Sequence, residues 1–366
     1  MEMIDYFEHV ETEKDYNGYY YSTGEAITIL ILGSFCELRN VNQIHQWASH
    51  EKTRDFLREQ FGICKIPCYY WLLCLLKMIK PDSLNQCFVR WVDSLLNSKN
   101  GLTLSLDGKT IRSTCTMKQG GNPLHIVSAQ IADLGITFGQ RSVDSKSNEI
   151  PAVQELLSEL DVSGCLVVAD ALNCQNKTVA QIRKGKVDQL PCAKDSQRTL
   201  KEAIETYVQD KELRKEMETD MTKEKGHGRI EKRTAYVTKD ISWLEERKDW
   251  EGLSCIGAIQ RSVEGEKGTS EEWHYYISSR ELTATELLRH ARMEWSIETM
   301  HWMLDVHFGE DFCRLQDTDA QKNLNMLRKS VLNHIKLFKE RTGTHRAVSK
   351  IMFDCLMDCE YILSLL

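Results

Sequence analysis

The stretch Leu102-Thr-Leu-Ser-Leu106 runs straight into Asp107-Gly108, so an alternation of apolar and polar residues ends on an acid and a glycine. That alternation is the period of a half-buried strand, and Asp-Gly reads as the turn that closes it. Upstream, Ser98-Lys-Asn-Gly101 is turn chemistry. It closes a region, residues 1 to about 96, whose apolar positions recur at helical spacing through Ile27, Ile31, Ile44, Trp47 and Phe56. Thr23, Asn42 and Asp82 are the candidate helix-opening residues there. Downstream, Leu124 to Ala132 and Gly135 to Val143 read as strands joined by the tight Asp133-Leu-Gly135 turn, and Asn148 to Leu160 as an amphipathic helix. Cys165-Leu-Val-Val-Ala169 is the short apolar run of a strand buried on both faces, and it delivers Asp170 at its carboxyl end. A helix through Val179 and Ile182 and a strand near Leu190 follow. The order β-β-β-α-β-α-β predicts an α/β fold: a mixed sheet flanked by helices, three antiparallel strands and then parallel crossovers.

The very highly charged residues 201–225 predict a solvent-exposed helix. Ile230 to Val237, Leu253 to Ser262 and Glu272 to Ile277 predict strands, hence a β-rich insertion at about 201–282. After Thr283 the helical period returns and holds to the last residue. We expect a helical N-terminal domain over 1–98 and an α/β domain over 99–366 that contains the insertion.

With 42% hydrophobic and 28% charged residues and only 5 prolines in 366, the composition is that of a folded protein and excludes disorder. Lys and Arg number 47 against 54 Asp and Glu, so a net charge of −7 provides no global field for DNA or anionic lipid. Local balance differs: from Arg314 to Lys350 nine basic residues face three acidic ones, and from Ala171 to Ile204 seven face three. The longest apolar run, Ala26 to Cys36, falls short of the roughly 20 residues of a membrane span. The acidic N-terminus lacks the basic character of a targeting peptide, which points to the cytoplasm. Of the 13 cysteines, Cys36, Cys74, Cys165 and Cys255 sit in apolar runs and read as small buried hydrophobes. Cys64-Lys-Ile-Pro-Cys68 is spaced loosely like a zinc knuckle, but no second close pair follows it and we read these as ordinary cysteines too.

Strands side by side in one sheet would bring Asp107 and Asp170 together at their carboxyl ends. Two carboxylates in a partly dry site repel and lose hydration, and a divalent cation removes both costs. Hard oxygen ligands of this kind suit Mg2+. Aspartates at strand ends also cap turns, and residue type alone leaves both readings open. A helix over Arg289 to Val306 places Glu294, Glu298, His301 and Asp305 at i, i+4, i+7 and i+11, on one face. Either Arg292 and His301 relieve the repulsion between the two glutamates, or Glu298 faces the aspartates and completes a metal site; spacing favours neither. Candidate phosphate contacts are Lys109 and Arg112 beside the first aspartate, Lys194, Arg198, Arg229, Arg233, Arg292, and the C-terminal Arg328 and Lys329. Taken singly, each reads better as an ordinary surface cation. Trp295 and Trp302 offer stacking faces for unpaired bases, although tryptophan is more often core. The chain has no Walker A loop and no G-x-S-x-G elbow, so neither ATP nor a serine nucleophile is expected.

Six ordered segments carry a resemblance. Leu106-Asp-Gly-Lys-Thr-Ile-Arg112, Lys146-Ser-Asn-Glu-Ile-Pro-Ala152, Val167-Val-Ala-Asp-Ala-Leu172, Ala193-Lys-Asp-Ser-Gln197, Gly226-His-Gly-Arg-Ile-Glu-Lys-Arg233 and Arg292-Met-Glu-Trp-Ser-Ile-Glu298 with His301-Trp-Met-Leu-Asp-Val306 and Glu310-Asp311 resemble those of the H-repeat-associated (ISAs-type) insertion-sequence transposases. The first hundred residues also look like the small helical domain that precedes the nuclease core in that family. The resemblance implies an RNase H-like fold and a DDE triad of Asp107, Asp170 and Glu298, separated by 63 and 128 residues, the second gap holding the insertion. It implies two Mg2+ ions per site, with Mn2+ able to substitute, and in-line cleavage and joining of DNA without a covalent protein–DNA intermediate. The implied partners are double-stranded DNA, as terminal inverted repeats and as target, and a second copy of the chain as a homodimer on DNA. No nucleotide cofactor and no membrane are implied, and the place of action is the bacterial cytoplasm beside the nucleoid. Glu294 and Thr299 stand where the family usually has His and Asn. Two alternatives are a catalytically silent, transposase-derived DNA-binding protein and a stand-alone metal-dependent nuclease.

Overall fold

The structure is a computed structural model; it describes all residues except 1–2, 14–20, 113–122, 144–148, 170–186, 194–196, 227–228, 251 and 266–267. Six helices come first: α1 (Met3–Phe7), α2 (Thr23–Phe35), α3 (Val41–Ser49), α4 (Glu51–Phe61), α5 (Tyr69–Met78) and α6 (Pro81–Leu95). Ser22, one residue before the expected cap, opens α2: its hydroxyl accepts from the Glu25 amide while the Glu25 carboxylate accepts from the Ser22 amide. Asn40, not Asn42, caps α3, and Asp82 lies in the first turn of α6 behind Pro81. Helix α2 is buried on nearly every side, which puts it at the centre of the helical layer. Cys36, Cys165 and Cys255 are buried as expected, whereas Cys74 is exposed, on the side of α5 away from Leu72, Leu75 and Leu76.

The first sheet contains β1 (Thr103–Ile111), β2 (Leu124–Ile131), β3 (Ile136–Ser142), β4 (Leu166–Ala169) and β5 (Asp188–Gln189), in the order β3-β2-β1-β4-β5. β1, β2 and β3 pair antiparallel, and β4 and β5 add in parallel, with α7 (Glu149–Glu159) in the connection to β4. That is the mixed sheet the alternation predicts. One expectation is corrected. Asp107-Gly108 does not end the first strand: the ladder to β2 continues through Gly108↔Val127 and Lys109↔Ile126 to Ile111↔Leu124. The glycine serves packing instead of a turn, because a Cβ there would lie 2.5 Å from both the Glu149 carboxylate and the His125 ring. The helix expected through Val179 and Ile182 lies outside the described residues.

The second sheet is the insertion. β6 (Cys192–Ala193), β7 (Glu218–Gly226), β8 (Arg229–Thr238), β9 (Cys255–Gly265) and β10 (Gly268–Ser278) assemble in the order β6-β10-β9-β8-β7. The strands expected near 230, 253 and 272 are thus β8, β9 and β10. The charged stretch 201–225 is only partly helical. After α8 (Arg198–Gln209) and α9 (Lys211–Lys215), residues from Glu218 form the edge strand β7. Its outward charges suit an edge, where they oppose pairing with other chains.

Four helices close the chain: α10 (Ala284–Glu294), α11 (Ser296–Phe308), α12 (Thr318–Thr342) and α13 (Val348–Met357). α10 lies between the two sheets, with Leu287, Leu288 and Ala291 packed among Leu166 and Val168 of β4 and Ala235, Val237 and Ile259 of the insertion. The other face of the insertion rests on Leu200, Ile204 and Val208 of α8. The largest core joins α2, α5, α6, α12 and α13 to Leu104, Leu106, Val127, Ala129 and Phe138 of the first sheet. No helix among the described residues is long and apolar enough to cross a membrane.

Candidate active site

The two faces of β1 differ. Leu104 and Leu106 point into the large core, while the alternate residues Thr103, Ser105, Asp107 and Lys109 meet α10 and α11 through polar contacts. Thr103 Oγ1 shares a hydrogen bond with His290 Nδ1 at 2.8 Å, and Ser105 Oγ donates to the Met293 carbonyl at 2.9 Å. Asp107 Oδ2 lies 3.4 Å from His301 Nδ1, and Lys109 Nζ reaches Asp305 Oδ1 at 2.5 Å. Burial pushes the His290 pKa down to about 4, so the ring is neutral where it meets the threonine.

The single helix expected over Arg289 to Val306 is two helices, parted at Trp295. The halves bury against different partners, Leu287, Leu288 and Ala291 between the sheets and Ile297, Met300 and Leu304 in the large core, which a straight helix does not reach at once. Glu294 therefore closes α10 while Glu298, His301 and Asp305 keep a shared face on α11. Glu298 is exposed in the first turn of α11, one turn ahead of the His301 ring that meets Asp107. The second nitrogen of that ring, Nε2, is buried with no hydrogen-bond partner among the described residues. Asp170 lies outside the described residues; Ala169, to which it is bonded, ends β4 in register with Leu106. Among the described residues no three His, Cys, Asp or Glu side chains form a complete metal site.

Trp295 and Trp302 correct the core expectation, being 49% and 56% exposed. They lie on the outer side of the helix away from Ile297, Met300 and Leu304, and Glu298 falls between them in sequence. Beside Trp295, the Arg261 guanidinium sits 5.9 Å from the ring centroid. Next to it opens a cavity of about 210 Å³, lined by Arg233, Arg261, Arg292, His274, Glu294 and Trp295 among others. Its arginines are already met by Glu224, Glu231 and Glu272, which leaves the cavity no surplus of positive charge.

The basic residues divide sharply. Arg112 is 87% exposed, Arg198 and Arg229 are exposed, and Arg198 spends its charge on Glu202 one turn away. Arg292 is half exposed and paired with Glu224; Arg233 is largely buried between Glu224 and Glu231. Lys194 lies outside the described residues. Arg328 and Lys329 are corrected: both are buried, where no phosphate reaches them. Arg328 donates to the Arg39 carbonyl at 2.8 Å, and Lys329 Nζ donates to Ser128 Oγ and Gln140 Oε1, each at 2.7 Å. Lys109, only 14% exposed, is likewise turned inward. Sequence reasoning missed Arg39, a half-exposed cation whose guanidinium caps the Val306 carbonyl, and, although Glu310-Asp311 carries part of the resemblance, it missed the burial of Glu310 against Lys109.

Residues 106–334 match the model of the transposase DDE domain, and residues 4–92 match the DDE_Tnp_1-associated model. The chain belongs to the DDE transposase family, enzymes that cleave and transfer DNA. Among its relatives, YbfL of Escherichia coli K12 is 30% identical, with 100% of this chain and 98% of that one aligned. A second, the "H repeat-associated putative transposase YhhI" of the same strain, is 30% identical with the same shares aligned. YncI of Escherichia coli O157:H7 is 30% identical over 72% of this chain and 69% of its own. Among solved structures, a piggyBac transposase synaptic complex with hairpin DNA aligns over 99% of this chain and 78% of its own at 9% identity and a TM-score of 0.43, too slight a likeness to bear on the reading.

Proposed function

We propose that the protein is the transposase of an insertion sequence, cutting DNA at the ends of its element and joining them to a target through Asp107, Asp170 and Glu298. The observation that carries this reading is the seating of α11 along the polar face of β1, with His301 against Asp107 and Glu298 one turn away, in a chain that matches the DDE domain over 106–334. The sheet order β3-β2-β1-β4-β5, antiparallel then parallel, supports an RNase H-like core. For Asp170 the support is its bond to Ala169, whose partner Leu106 precedes Asp107.

The donor chemistry fits a divalent cation. Asp107 is partly exposed, and among the described residues no lysine or arginine neutralises it, because Lys109 beside it is committed to other acids. Asp107 and Glu298, with Asp170, would hold Mg2+, or Mn2+ in its place, two ions per site. Bound there, the metal supplies Lewis acidity for activating a water or a DNA 3′-hydroxyl and for offsetting charge on the departing oxygen. The chain's own residues orient and exclude. His301 steadies the Asp107 carboxylate, and its burial keeps water off that side. Trp295 and Trp302 present flat faces on which unpaired bases stack, worth roughly 1–3 kcal/mol per base. Arg112 and Arg229, and Arg198 once its surface pair with Glu202 opens, offer exposed charge to phosphates, so binding weakens as salt rises. Two element ends must be held at once, for which a homodimer on DNA is the simplest assembly, working in the bacterial cytoplasm.

The test uses a duplex taken from the DNA flanking the reading frame. Asp107→Asn and Asp170→Asn are each expected to bind it as the wild type does and to release no cleaved strand in Mg2+. Cleavage retained by either variant removes that residue from the site. Strand-transfer products from the wild type separate a transposase from a nuclease.

A further inference from the structure

Lys109 follows Asp107 by two residues, and the strand period puts both side chains on the same face of β1. Its ammonium has three donors. They go to Asp305 Oδ1 at 2.5 Å, to Glu310 Oε2 at 2.6 Å and to the carbonyl of His301 at 3.4 Å. None is left for a phosphate. Glu310 is 1% exposed and its other oxygen accepts from Asn325. Burial alone raises the Glu310 pKa, yet Lys109 beside it brings the carboxyl below its ordinary range, so the pair is an ion pair inside the protein.

The spacings match. From Asp107 to Lys109 the strand advances about 6.6 Å, and from His301 to Asp305 the helix advances about 6 Å. Strand and helix therefore run alongside each other with two cross-links, Asp107 to His301 and Lys109 to Asp305. With the second link fixed, α11 cannot slide along β1 or roll on it without breaking the part-buried Lys109–Asp305 ion pair, and Lys109 is itself anchored by the buried Glu310 just beyond the helix. Glu298, about 4.5 Å further back along the same helix, then has one place relative to Asp107.

We propose that Lys109 is a positioning residue: it sets the register of α11 on β1 and so holds Glu298 at the distance from Asp107 that metal binding requires. This rests on Asp107 and Glu298 being metal-holding acids. It replaces the DNA-contact role that the position of Lys109 beside Asp107 suggests from sequence.

The experiment compares the full-length wild type with Lys109→Met, with the double variant Lys109→Met/Glu310→Gln, which leaves no unpaired acid in the interior, and with Asp305→Leu and Asp305→Asn. Binding to the flanking duplex is measured in EDTA across a salt series, and cleavage across a Mg2+ series. The expected result for the double variant is unchanged DNA affinity and salt slope, a half-saturating Mg2+ concentration raised about tenfold, and cleavage lowered about 100-fold. Asp305→Leu should do the same, and Asp305→Asn, which keeps an oxygen for Lys109, should recover most of the loss. A salt slope lowered by about 1 in the double variant identifies a phosphate contact and overturns the proposal. So does an unchanged Mg2+ requirement, with or without a lowered unfolding midpoint, since that is a merely structural fastening. Retained cleavage by Asp107→Asn defeats the acid assignment itself; loss there beside normal Mg2+ dependence in the Lys109 variants defeats only the positioning role.

Discussion

Lys329 is a cation without water. Its ammonium lies inside the molecule on the Ser128 hydroxyl and the Gln140 amide oxygen, and burial pushes its pKa down to about 7 from the usual range near 10.4. Between those two values the unfolded chain holds a proton that the folded chain has released, so folding stability rises with pH across that window and the advantage is lost as pH falls toward 7. Urea unfolding from pH 7 to pH 10 should show the wild type gaining up to about 1.4 kcal/mol per pH unit relative to Lys329→Met; parallel profiles refute the assignment. The same residue shows what sequence hides. Nine basic residues between Arg314 and Lys350 look like a phosphate-binding face, yet Arg328 and Lys329 continue an inward stripe with Leu324, Leu327, Val331 and Ile335. Charge counts carry no burial. Strand alternation put Asp107 on β1, although the strand runs on past it to Ile111, whereas the contacts of Lys109 depend on a helix nearly two hundred residues away.

At the scale of elements, α10 is held at both its start and its side. Thr283 and Glu286 exchange backbone caps at its first turn, and Leu287 lies over Gly257 of β9. A Cβ at position 257 would come within 2.5 Å of Leu287 Cδ2 and 3.1 Å of the Tyr236 carbonyl. Gly257→Val is therefore expected to cost about 1–3 kcal/mol, read as a lowered urea midpoint, and Leu287→Ala in the same chain should add less than its own separate cost. Additive losses would mean that the close approach is not what limits the site. Thr283→Ala should cost about 1 kcal/mol, measured in the same way. The strands of both sheets were readable in outline because each has its own period. The division of α10 from α11 was not, since the helical pattern runs on through Trp295 and only the presence of two separate apolar partners breaks it. The edge strand β7 escaped for the opposite reason: a highly charged stretch has no apolar alternation to betray it.

In the molecule as a whole, the change from helical to strand period near residue 98 suggests a boundary, but burial crosses it. Phe7, Leu30, Phe35, Leu75 and Phe88 share one apolar interior with Leu104, Leu106 and Phe138 of the first sheet and with Leu327, Val331 and Met352 near the other end. A fragment of residues 1–98 is thus expected to lack a cooperative thermal transition, because the surface that α12 covers in the whole chain stays open to water; a sharp two-state melt of that fragment would contradict it. The arrangement also bears on how such a gene decays. α12 and α13 follow all three proposed acids along the chain, yet they close the interior on which β1 rests. A reading frame cut short before Thr318 would keep every acid and lose the fold, leaving a product for proteases instead of a stable rival able to occupy the element's ends and block its intact sisters.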